Sequence, residues 1–374
     1  MPVTFLAMWF TGLLSLAVLG GGVYLVHGWY VGEMVATAWL VVGVGLLAWS
    51  VAGRWLVLLA WRRGPDEPRS ERGGRQRRVT GPAGSGLHVE EYGPDGDGPL
   101  LLMTHGWDLD ATVWYHEKKS LAERFRLVVW DLPGLGLSGQ PGDGRYSLER
   151  MAGDLRAVLD ATAGGSPVVL LGHSIGGMTI LTLCRLFPEL LGRQVAGIIL
   201  VNTTHTMPLN TVFAGGLLRA LRRPVLVPLL HLTTWLWPLV WAMNWKSYLD
   251  GSAHRSTNWT SFSGRETRGQ LDFAAHFTAK QHPGVVARGI LAMLRWDETA
   301  TLPRIAVPTL IITSDHDRLT LPRASEDMRR LIPGAELVMV ASAGHPGFLE
   351  RSTEYDGVIA GFVQRVGSGP ALAS

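Results

Sequence analysis

The chain of 374 residues contains a single cysteine, Cys184, so no internal disulfide can staple it. That suits a reducing compartment without requiring one. Charge is also scarce, at 17% against 47% apolar residues, which excludes a chain disordered over most of its length. It is scarcest at the N-terminus, where the first charged residue is Glu33. A cleaved secretory leader would begin with a basic region and carry a shorter apolar stretch. Ala36-Thr37-Ala38 resembles a cleavage site, but those two departures weigh against a leader. The net charge of +3 is local: residues 62–80 hold seven arginines against Asp66, Glu67 and Glu71, and residues 1–61 sum to zero. The rest of the chain is near neutral and carries no nucleic-acid footprint.

Two long apolar runs fill the charge-poor region. Residues 3–26 form one and residues 34–53 the other. As helices rising ~1.5 Å per residue, each is long enough for a ~30 Å hydrocarbon core. Arg54 and the tryptophans of 55–61 suit a headgroup layer. Residues 1–61 are therefore expected to form a transmembrane helical hairpin, and 62–83 a basic linker touching membrane lipid. Arginines 62, 63, 69, 72, 75, 77 and 78 crowd the exit of the second run, which places both chain ends and the following domain on the cytoplasmic side. Two sequons, at Asn202 and Asn258, would matter only on the opposite side.

From about residue 84 the pattern changes to short apolar runs alternating with amphipathic segments. Strands are expected at 87–92, 100–104, 125–130, 167–172, 195–201, 309–313 and 336–340, with helices such as 148–163 and 175–187 between them. Continuously apolar strands alternating with helices predict an α/β fold, a mostly parallel sheet covered on both faces. Residues 84–202 and 303–366 form this core. Residues 203–302 contain no clear strand. Their apolar stretch 224–245 is interrupted by Pro224, Pro228 and Pro238, so it reads as part of an inserted helical cap rather than a membrane span. Residues 367–374 read as a flexible tail.

The chemistry-bearing segments lie at strand ends. Gly172-His173-Ser174-Ile175-Gly176 joins a strand to a helix. A nucleophilic serine needs such a sharp turn, and side chains two positions away on either side would collide. The helix starting at Ile175 aims its first N–H groups at the same point. Serine also needs a base that a third group orients, and this fold supplies them in the order acid, then histidine. Asp315-His316-Asp317 follows the strand at 309–313, and Gly344-His345 follows that at 336–340. Other readings are weaker. Gly134-Leu135-Gly136-Leu137-Ser138-Gly139 imitates a dinucleotide loop, but Pro133 precedes it and Pro141 follows, so no helix opens there and no cofactor is expected. The Asp315-His316-Asp317 cluster has no companion, and no metal is expected. Asp131 is read as ordering its own loop, and Cys184 as a packing residue.

From about residue 84 to 366 the chain resembles the capped α/β-hydrolase superfamily, in its branch of serine esterases, lipases and haloperoxidase-like enzymes. The motifs that carry this are His105-Gly106-Trp107, the run from Asp131 to Ser138, Gly-His-Ser-Ile-Gly at 172–176, Asp315-His316-Asp317-Arg318 and Gly344-His345. The resemblance implies Ser174, Asp317 and His345 as the triad, and the amides of Trp107 and Ile175 as the oxyanion hole. It implies acyl transfer through an acyl-enzyme. The expected substrate is a hydrophobic, lipid-like carboxylic ester, with His105, Trp235 and Trp241 as candidate substrate contacts. The cap's tryptophans have the alternative of packing the cap's own core. Thioester, C–C bond or peroxide chemistry on the same triad, or a silent membrane scaffold, are the competing readings.

Overall fold

The computed structural model describes residues 2–94 and 98–368, so residues 369–374 of the expected tail lie outside the described residues. Two helices open the chain, α1 (Pro2–Tyr30) and α2 (Thr37–Leu58), packed against each other as a hairpin. Eight strands follow: β1 (Arg75–Thr80), β2 (Gly86–Tyr92), β3 (Leu100–Thr104), β4 (Arg126–Trp130), β5 (Val168–His173), β6 (Val195–Val201), β7 (Thr309–Ser314) and β8 (Glu336–Val340). They form one sheet in the order β1-β2-β4-β3-β5-β6-β7-β8. β1 and β2 are antiparallel to their neighbours; the remaining pairs are parallel. β3, β5, β6 and β7 are buried along their whole length, as strands covered on both faces must be.

The covering helices are α3 (Tyr115–Leu121), α4 (Leu148–Thr162) and α5 (Ile175–Leu186), and after the cap α12 (Pro322–Leu331), α13 (Gly347–Glu350) and α14 (Ser352–Gly367). Between β6 and β7 the chain makes only helices: α6 (Gly215–Leu221), α7 (Val227–Trp235), α8 (Trp237–Leu249), α9 (Ser252–Ser261), α10 (Arg268–Lys280) and α11 (Pro283–Met293). Pro228 and Pro238 sit in the first turns of α7 and α8, where a missing N–H costs nothing. The apolar stretch is bent by 99° between Trp235 and Trp237, as its prolines predict.

Two expectations need correction. The segment 62–83 is not wholly a linker, because its last part is the edge strand β1. Its Arg72 is not free for lipid: it reaches Glu90 at 2.5 Å, Asp131 at 3.0 Å and Asp110 at 3.5 Å. The pattern gave no apolar alternation there because β1 is an exposed edge whose charges pair across the ladder, Arg75 and Arg77 both meeting Glu91. Nor is the hairpin a separate appendage. Phe5 and Met8 of α1 are buried in the main core, Trp9 Nε1 donates to Thr233 Oγ1 at 2.9 Å, and Ser15 Oγ lies 2.9 Å from Ser252 Oγ. Only beyond this half does α1 stand clear of the domain, with Val23, Tyr24 and Tyr30 exposed.

Candidate active site

Ser174 joins β5 to α5 with φ +54° and ψ −119°, a conformation an L-residue holds only under strain. The glycines on either side make this turn possible. A Cβ on Gly172 would lie 2.4 Å from the Gly176 backbone, and one on Gly176 would lie 2.2 Å from the Thr104 carbonyl. The turn is held further by Ser174 N–H donating to Val201 O at 3.0 Å and by the Thr203 hydroxyl donating to Ser174 O at 2.6 Å.

The acid and the histidine come from the loops after β7 and β8. His345 Nδ1 is 2.8 Å from Asp317 Oδ2. Asp317 accepts the backbone N–H groups of Leu319 and Thr320 on its other oxygen, at 2.7 and 2.9 Å, and the Thr320 hydroxyl on Oδ2 at 2.5 Å. With both oxygens filled, the carboxylate cannot rotate, and it fixes the proton on Nδ1. Nε2 of His345 is thereby left as the basic nitrogen; it is buried and has no hydrogen-bond partner among the described residues. No hydrogen bond joins it to Ser174 Oγ. Such bonds are often loose before substrate binds, and the residue before the serine packs against the histidine. The His173 ring lies 4.7 Å from the His345 ring, and His173 Nε2–H donates to His345 O at 3.2 Å. Burial, with the His345 ring beside it, holds the His173 pKa well below its ordinary value, so this neighbour of the nucleophile stays neutral. Asp315, the alternative acid, instead pairs with His316 at 2.7 Å on the surface.

A residue that sequence reading singled out only as a sequon belongs here. Asn202, buried at the end of β6, donates its side-chain amide to His345 O at 2.6 Å and approaches Ser314 Oγ at 2.9 Å. It braces the histidine loop from below, and its burial puts it out of reach of any glycosylating enzyme. Only its position after a strand in the core hinted at this.

Trp107 and Ile175 are both buried, at the end of the loop after β3 and at the start of α5. Neither backbone N–H donates to an acceptor among the described residues. The Trp107 indole N–H is held by Val286 O at 2.9 Å. His105 does not meet the cavity: its Nε2 accepts the Leu132 N–H at 3.0 Å and its Nδ1 lies 2.7 Å from Gly106 O, so it shapes the loop. Trp235 and Trp241 are likewise not brought to the site. Trp235 is 77% exposed, and Trp241, 40% exposed, donates its indole N–H to Ala279 O on the cap surface. Composition alone could not say which face of the cap helices they occupy. Asp131 orders its own loop, as expected, accepting the Ala111 and Leu137 N–H groups at 2.7 and 2.8 Å.

Beside His345 lies a cavity of about 80 Å³ lined by Trp107, Asp108, His173 and His345 from the core, and by Thr4, Met8 and Thr11 from α1. Asp108 holds φ +66°, and burial pushes its carboxyl up to about 7. Burial thus favours its uncharged form, which keeps this wall weakly polar. Its place directly after His-Gly-Trp was the one signal that could have marked it.

A strained serine between a parallel strand and a helix, with a buried histidine–aspartate pair on the next strand-end loops, defines an esterase-type α/β hydrolase. Residues 101–357 match the Alpha/beta hydrolase family, and the chain belongs to that family. It is similar to a protein named for carbamate hydrolysis, RutD of Stutzerimonas stutzeri, at 27% identity over 73% of this chain and 95% of that one. It is 26% identical to the pimeloyl-[acyl-carrier protein] methyl ester esterase of Xanthomonas axonopodis, over 75% of this chain and 100% of the relative. Among solved structures, a thermophilic esterase from Thermogutta terrifontis superposes with a TM-score of 0.63 at 25% identity, covering 79% of this chain and all of the other.

Proposed function

We propose that the protein is a membrane-anchored serine hydrolase that cleaves a hydrophobic carboxylic ester. The observation that carries this reading is the 2.8 Å contact of His345 Nδ1 with a fully satisfied Asp317, which leaves a buried, unpaired Nε2 next to the strained serine loop. His345 Nε2 takes the proton from Ser174 Oγ as the hydroxyl attacks the ester carbonyl. The oxyanion is received by the N–H groups of Trp107 and Ile175. The alcohol leaves with the proton returned by His345, and water, activated by the same nitrogen, frees the acid. The methyl ester esterase relative supports ester chemistry in this family.

Membrane attachment is supported by α1 and α2, each long and apolar enough to cross a bilayer. Arg62, Arg63 and Arg69, which follow α2, favour a cytoplasmic catalytic domain. The test is hydrolysis of esters of graded chain length by the full chain in lipid vesicles. Ser174→Ala should lose at least roughly a thousandfold in turnover while its circular dichroism is kept. Unchanged hydrolysis would remove Ser174 from the mechanism, and a preference for short soluble esters would count against a lipid-like substrate.

A further inference from the structure

Resting on that reading, we propose that the cap and the first half of α1 are immersed in the bilayer, and that the hydrocarbon chain of a membrane ester enters the site sideways, along α1.

The first argument is length. The part of α1 that stands clear of the domain, residues 16–30, would rise only about 22 Å at ~1.5 Å per residue, against a ~30 Å hydrocarbon core. α2 meets the domain in the same way, since a Cβ on its Gly53 would come within 2.7 Å of the Asp250 carbonyl in the cap. The hairpin therefore spans a bilayer only if the lipid also covers the half of α1 that packs on the cap. That half has an outer face made for it: Phe10, Leu13 and Leu14 are exposed. So are the neighbouring cap residues Phe213, Leu217, Trp235 and Trp259. A contiguous apolar surface of this kind marks contact with a membrane or partner, and here it is continuous with two helices of membrane-spanning length.

The second argument is volume. Small-molecule sites usually enclose roughly 300–1,000 Å³, and the 80 Å³ cavity beside His345 cannot hold an acyl chain. A second, open groove of about 700 Å³ adjoins it. Thr11 of α1 and Ser256 of α9 line both. The groove's apolar wall comes from α1 (Leu6, Ala7, Phe10), from Trp49 and Val57 of α2, and from Phe213 before α6. Its polar members, such as Ser252 and Arg255, come from the corner between α8 and α9. The occupant that fits is an unbranched hydrocarbon chain whose ester end lies in the cavity beside His345. In this chain the first helix is both anchor and part of the substrate site.

The experiment uses the full chain in phosphatidylcholine vesicles and a hexadecyl fluorophosphonate with a diazirine near the end of its chain. The serine displaces fluoride, and irradiation then marks what the chain touches. The expected result is phosphonylation of Ser174 with cross-links in the α1 peptide that contains Leu6 to Leu14. In Ala7→Trp, which fills the groove, the rate of labelling by the hexadecyl probe relative to an ethyl probe should fall roughly tenfold. Labelling at Ser174 with cross-links only elsewhere, or an unchanged ratio in Ala7→Trp, would overturn the lateral path while leaving the hydrolase reading intact. No labelling by either probe would instead overturn the hydrolase reading, and the path with it.

Discussion

Met8 and His345 line the same cavity, although one belongs to the first helix of the chain and the other to the loop after the last strand. A helix that looks from its composition like a tether is thus a wall of the cavity beside His345. Removing it would open that cavity and expose the core surface that Phe5 and Met8 cover.

Asn202 is the first point at which this structure can be challenged. Its amide holds the backbone of His345 at 2.6 Å. Asn202→Ala leaves that carbonyl unbraced, and a displacement of the imidazole by a fraction of an ångström is enough to lower turnover on the order of a hundredfold. The loss should fall on kcat more than on KM, because no substrate contact is removed. Steady-state kinetics on one soluble ester checks this, and an equal change in both constants would point to a collapsed pocket.

Arg72 anchors the opposite end of the core. It sits between Glu90, Asp110 and Asp131, and Lys280, 2.6 Å from Asp110, is the nearest other cation recorded there. Arg72→Met removes one charge and leaves buried carboxylates facing one another, which should destabilise by about 3–5 kcal/mol. A thermal melt followed by tryptophan fluorescence should show a clearly lower midpoint. An unchanged midpoint would mean the cluster is more hydrated than its burial indicates.

Asp154 gives a pH dependence with a definite sign. It is buried on α4, neither carboxyl oxygen has a hydrogen-bond partner among the described residues, and burial raises it to about 7. The folded state therefore holds a proton that the unfolded chain releases near pH 3.8. Its contribution to stability is present in acid and is lost as the pH rises through about 7. Asp154→Asn cannot ionise and should be more stable than the parent at about pH 8 by about 1–3 kcal/mol, with the gap narrowing as the pH falls below about 7 and closing only near pH 3.8. Melts at the two pH values decide it, and a gap independent of pH would contradict the assignment.

Much of the fold was legible because buried parallel strands leave unbroken apolar runs. The segments 100–104 and 195–201 match the buried strands β3 and β6 residue for residue, and 336–340 matches the more exposed β8. The placement of Ser174, Asp317 and His345 after strand ends was legible because each follows such a run. β1 was not, since an edge strand with one buried residue has no apolar period to detect. Trp235 and Trp241 misled because an exposed apolar surface and a substrate pocket have the same composition; only their exposure in the fold shows that they line neither the cavity nor the cap's core. The partnership of α1 with the cavity was invisible for a different reason: contacts such as Ser15 with Ser252 of α9 depend on how separate helices dock, not on any local pattern.

The most direct measurement is fluorophosphonate labelling of the full-length protein, followed by peptide mass spectrometry. The account requires a single modified residue, Ser174, and loss of labelling in both Ser174→Ala and His345→Ala. Modification at another serine, or labelling that persists without the imidazole at 345, would contradict it.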